Sequence, residues 1–151
     1  MISPKSPPDA NTFNDMVDSL NSISGEPRSS VLITHLYVEY LMDSILRKKI
    51  SKPDKTLKSG FASKLELIES LQILSDEIMH DLWLVNEVRN QFAYEIDIES
   101  TDFQSAFLEK VYRMRYYSYN ANRFEGMPAR HIYSMIMMSI YAILKSEYDK
   151  L

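Results

Sequence analysis

Residues 76–94 read DEIMHDLWLVNEVRNQFAY. Ile78, Leu82, Val85, Val88 and Phe92 recur at three- and four-residue steps, the spacing that lines side chains up along one side of an α-helix. Asn86, Arg89 and Asn90 fall on its polar side, and Asp76 is placed to cap its first turn. Upstream, Phe61, Leu65, Ile68, Leu71 and Leu74 repeat the pattern, which predicts a preceding helix from Phe61 to about Leu74. Between the two lies little room for anything but a turn.

Further upstream, SKPDKTLKSG (51–60) is polar and basic, with a proline and a glycine, as expected of a surface connection. It follows a stretch from Ser29 to Ile50 in which Leu32, Leu36, Tyr40, Ile45 and Leu46 mark an apolar face. Lys48 and Lys49 there suit the negative end of a helix of about six turns. Phe13, Met16, Val17, Leu20 and Ile23 form a shorter first helix, stopped by Gly25 and Pro27. Pro4, Pro7 and Pro8 predict an extended lead-in over residues 1–10, ahead of a single helical domain over 11–151.

Downstream of Tyr94, EIDIES alternates apolar and acidic residues and predicts a short extended link. Thr101-Asp102-Phe103-Gln104 resembles a capping box for a helix from about Asp102 to Asn120, with Phe103, Phe107, Val111 and Met114 on one side. Gly126 and Pro128 mark a break. Pro128 then suits the first turn of a last helix bearing Ile132, Met135, Ile136, Ser139, Ile140 and Ile143. The result is an all-α bundle of about five to six helices.

The bulk composition agrees with one folded unit. At 151 residues, 45% hydrophobic and 25% charged, the chain can bury a core without metals or disulfides. With no cysteine, disulfides, thiolate zinc sites and thiol catalysis are excluded, in keeping with a reducing compartment. No signal-peptide pattern opens the chain and no apolar run reaches the ~18 residues of a membrane span, so a soluble cytoplasmic protein without membrane contact is expected. A net charge of −4 gives no overall electrostatic footprint for nucleic acid, and only three glycines leave little for phosphate-cradling loops. No cofactor is implied.

The segment VNEVRNQFAYEID (85–97), at the end of a helix that follows an amphipathic partner starting FASKLELI, resembles the HEPN superfamily. Within it, the likeness is to the mannitol operon repressor family, whose helix ends in R-N-x-F-A-H. Arg89, Asn90, Phe92 and Ala93 match that pattern, and Tyr94 stands where the family has histidine. The likeness extends more loosely from about Val31 to Phe107. It implies an α-helical domain that usually dimerises with the motifs of two protomers facing one cleft. Members with the arginine and the histidine often cleave RNA without metal; others are regulators, partners of toxins or binding modules.

Such cleavage needs a base for the ribose hydroxyl, a donor for the leaving oxygen, and positive charge on the phosphate. Arg89 can supply the charge. Tyrosine, with a reference pKa of ~10, is a poor base at pH 7 where histidine is a good one, but it can donate a hydrogen bond or stack on a base. Arg89, Asn90 and Tyr94 are therefore the candidate site, read as degenerate. The expected function is a non-catalytic or weakly active HEPN-like regulatory module, a homodimer acting through a protein or RNA partner. The alternative is a metal-independent HEPN-type endoribonuclease, a toxin or antiphage effector. A plain structural role also fits: Arg89 and Asn90 bonding carbonyls at a helix end, with Tyr94 packing.

Weaker patterns complete the reading. In VYRMRYYSYNANRF (111–124), Arg113, Arg115 and Arg123 interleave with Tyr112, Tyr116, Tyr117 and Tyr119, as surfaces that stack bases and hold phosphates do. With Asn86, the residues Arg113, Arg115, Tyr116, Tyr117, Tyr119 and Arg123 are candidate RNA- or partner-binding residues, and a packing or dimer face is the favoured version. His35 and Glu39 meet at i,i+4, but no second histidine lies at ligand spacing, so no metal site is expected. His80 and His131 are isolated, and no nucleophile elbow is present. The absence of a helix-turn-helix and of a basic stripe argues against direct DNA binding.

Overall fold

Glu26 starts the longest helix by turning its carboxylate onto the backbone N–H groups of Arg28 and Ser29, at 3.1 and 2.7 Å. Pro27 follows at the helix's first turn, where a missing N–H costs nothing. The computed structural model to which this helix belongs describes residues 7–9, 11–23 and 26–151. Its α-helices are α1 (Thr12–Ser22), α2 (Pro27–Lys49), α3 (Asp54–Leu57), α4 (Phe61–Ser70), α5 (Asp76–Tyr94), α6 (Thr101–Arg113), α7 (Arg115–Tyr119) and α8 (Ala129–Lys150). A 3-10 turn spans Ala121–Phe124. All regular structure among the described residues is helical, and no helix among them is long and apolar enough to cross a membrane.

The central pair is α2 and α8. Val38, Leu41, Met42, Ile45 and Leu46 of α2 are fully buried, as are Ile136, Met137 and Leu144 of α8. The hairpin of α4 and α5 packs on α2, and α6 bridges α5 to α8. An aromatic relay fixes that bridge. Phe92 meets Phe103 edge-on at 4.8 Å and Phe107 at 5.1 Å, and Phe107 meets Tyr133 at 5.6 Å.

Among the described residues the bundle has eight α-helices rather than five to six, because a one-turn α3 and a five-residue α7 are too short to show a period. The helix anticipated from Asp102 to Asn120 breaks at Met114, where ψ is 135°. Caps sit one residue upstream of the expected ones: Ser75 rather than Asp76 accepts from Ile78 N–H, and Ser100 rather than Thr101 accepts from Phe103 N–H. Leu71 lies beyond α4, exposed, beside Gln72 at a positive φ of 54°. Most of the extended lead-in anticipated for residues 1–10 lies outside the described residues; residues 7–9 are non-helical.

Candidate functional site

One guanidinium nitrogen of Arg28 donates to the carbonyl of Glu95 at 2.5 Å, which pins the start of α2 to the end of α5. The two helices therefore run antiparallel. Arg89 lies six residues before Glu95 and His35 seven after Arg28, about 9–10 Å along each helix, so both stand at one level. The ring of Phe61, the first residue of α4, lies 4.3 Å from the His35 ring. His35, Phe61 and Arg89 thus mark a junction of α2, α4 and α5.

Behind this junction runs a chain of charges. Lys64 is buried, with its ammonium 2.9 Å from Glu39 Oε1 and 2.9 Å from Asp43 Oδ1. The Glu39 contact is an aligned hydrogen bond, whereas Asp43 Oδ1 lies close without hydrogen-bond alignment, an ion pair only. Glu39 Oε2 also faces His35 Nε2 at 3.5 Å, the outer limit of hydrogen bonding, and neither ring nitrogen of His35 has a hydrogen-bond partner among the described residues.

The protonation states follow from this arrangement. His35 and Lys64 together hold the Glu39 carboxyl down at about 2, against the effect of burial, and the shorter Lys64 contact is the firmer of the two. Burial pushes the Asp43 carboxyl up despite Lys64, so the two carboxylates that share one lysine are driven apart. Burial works against the Lys64 ammonium, but Asp43 and Glu39 outweigh it and raise its pKa. Burial lowers that of His35, with Glu39 pulling the other way and the positive charges of Arg89 and Lys64 reinforcing it. Burial thus favours the neutral form of His35, which is only 4% exposed.

The motif of α5 divides between core and surface. Phe92 is buried in the aromatic relay, while Arg89 and Asn86 are half-buried and Asn90 is exposed. Asn86, Asn90 and Tyr94 share a face at four-residue steps. Tyr94 is 85% exposed, and Ile96 just beyond it 95%. Leu32 and Leu36, counted by their spacing with the apolar face of α2, are 47% and 59% exposed. Exposed large apolar side chains thus stand at the end of α5, Tyr94 and Ile96, and along the first half of α2, Leu32 and Leu36.

The arginine- and tyrosine-rich run lies elsewhere. Arg113 sits 4.0 Å from Glu87, the backbone N–H groups of Arg115 and Tyr116 reach Asp81 at 2.8 and 3.2 Å, and the Tyr119 hydroxyl donates to Glu77 at 2.9 Å. The run thus follows α5 back toward its start. Glu77 and Tyr94 are roughly 25 Å apart along the helix axis, so Tyr119 is remote from Tyr94, whereas Asn86, and Arg113 beside Glu87, lie about one turn of α5 from Asn90. Its aromatics pack mostly on each other: Tyr112 on Tyr117 at 4.7 Å, Tyr117 stacked on Phe124 at 5.9 Å. The side chains of Arg115 and Arg123 point to solvent.

Sequence reasoning paired His35 with Glu39 but passed over Lys64, Asp43 and Asp81. The signal was present for two of them: Lys64 falls on the stripe of Phe61, Leu65 and Ile68, and Asp81 on that of Ile78, Leu82 and Val85. A charge on a core stripe asks for a buried partner. Among the described residues no group of three or more histidine and acidic side chains is arranged to hold a metal ion. Comparison with known proteins yields no matching family model, no matching curated protein and no matching solved structure.

Proposed function

We propose that the chain is a non-catalytic, HEPN-like regulatory module of the cytoplasm, resembling the mannitol operon repressor family, that acts by docking a protein through the end of the bundle where α5 finishes. The observation that carries this reading is the outward presentation of the motif's last residue. Tyr94 and Ile96, two residues apart where α5 finishes, are 85% and 95% exposed. Large apolar groups gathered at one place on a surface mark interaction sites, and a tyrosine with a free hydroxyl suits an interface core. The first partner is a second copy of the chain, placing two Arg89–Tyr94 motifs face to face.

The ribonuclease alternative draws less support. The imidazole nearest Arg89 by helix level is His35, and at 4% exposure it offers no nitrogen to a ribose. The test is sedimentation of the purified chain at tens of micromolar, beside incubation with mixed cellular RNA without metal. Under this proposal the wild type sediments as two protomers, Tyr94→Asp and Ile96→Asp weaken association at least tenfold with unchanged melting temperature, and RNA stays intact. A monomeric wild type would defeat the reading. RNA cleavage lost in Arg89→Ala would put the nuclease in its place.

A further inference from the structure

At the opposite side of α2, α1 and α8 run antiparallel and diverge. Near the start of α1 they are closed by the Phe13 and Tyr141 rings, 5.9 Å apart. Toward the end of α1, Val17, Leu20 and Asn21 stand away from the first two turns of α8, leaving a cavity of about 450 Å³. That is within the range of small-molecule sites. The α8 wall is one stripe, His131, Ser134, Met135 and Met138, next to the Ile132–Ile136–Ile140 stripe that fills the core.

The lining is chemically specific. Among the described residues, none that lines it is a lysine, arginine, aspartate or glutamate. A charged ligand would find no counter-charge among these side chains. The methionines adapt to ring or chain shapes. Asn21, His131 and Ser134 make no side-chain hydrogen bond to a described residue, so their donors and acceptors are available to a guest. We propose that this wedge binds a small neutral molecule with an apolar ring or chain body and a hydrogen-bonding group at one end. The inference is independent of the docking face.

N-phenyl-1-naphthylamine, neutral, apolar and carrying one N–H, is a suitable probe. Titrated into the full chain, it should bind saturably with a dissociation constant on the order of 10–100 μM. Carbon-13 spectra of the methionine methyls should show Met135 and Met138 shifting while the core Met42 stays fixed. Met135→Trp, which fills the wedge, should weaken binding at least tenfold. Absence of saturation, methyl shifts at Met42 rather than at Met135 and Met138, or undiminished binding in a folded Met135→Trp would overturn the proposal. If that variant does not fold, the wild-type methyl shifts decide alone.

Discussion

Lys64 occupies a position where the helical pattern asks for an apolar side chain, and its ammonium is satisfied only because α4 lies on α2 within reach of Glu39 and Asp43. Removing the lysine leaves two carboxylates, each about a quarter exposed, facing one another without a cation. Lys64→Met should therefore cost about 2–4 kcal/mol in urea denaturation, reduced from the full buried-pair penalty by that partial exposure. Adding Glu39→Gln and Asp43→Asn to it should recover part of the loss. A single-variant cost under ~0.5 kcal/mol would mean that the cluster carries no net stability. Tyr133 poses the opposite case. Its hydroxyl is buried without a hydrogen-bond partner among the described residues, and burial pushes its pKa well up. Tyr133→Phe should be neutral or stabilise by about 1 kcal/mol, seen as an unchanged or higher melting temperature, because it removes a polar group whose hydration is already lost.

At the scale of elements, the break between α6 and α7 is made by a residue far off in sequence. Asp81, 2% exposed, accepts the first two N–H groups of α7 and also faces His80 Nδ1 at 3.1 Å. It caps a helix it does not belong to. Asp81→Ala should cost about 2 kcal/mol and speed amide hydrogen exchange at Arg115 and Tyr116 far more than in α8. Equal effects on both helices would show that Asp81 supports the whole core rather than α7. The same contact explains what could be read in advance. The helices α1, α2, α4, α5 and α8 announce themselves through apolar periodicity. The split at Met114 does not, since 34 residues separate Asp81 from its first donor partner, the Arg115 N–H. Likewise His35 and Glu39 are visible as an i,i+4 pair, but Lys64 joins them only through the parallel placement of α4 on α2. Short helices and tertiary caps are settled by packing, which a local pattern does not carry.

For the molecule as a whole, the charge cluster makes stability a function of pH, and the signs differ by residue. His35 faces Glu39 from its own helix, Lys64 from α4 and Arg89 from α5, and its pKa lies below the ordinary 6.5 of histidine. The unfolded chain thus takes up this proton first, so stability is full above about 6.5 and declines as the pH falls toward the folded value. Glu39, held at about 2, adds a second decline as the pH drops below its ordinary 4.5. Asp43, raised by burial, is protonated more readily in the folded chain and offsets part of that second loss. Two stages of acid destabilisation should therefore appear in urea midpoints measured from pH 8 to pH 3. His35→Leu, matching the surrounding apolar contacts with Phe61, should flatten the stage that begins below pH 6.5 and leave the lower one in place. Should His35→Leu keep the upper stage, the buried imidazole would have no share in the acid response.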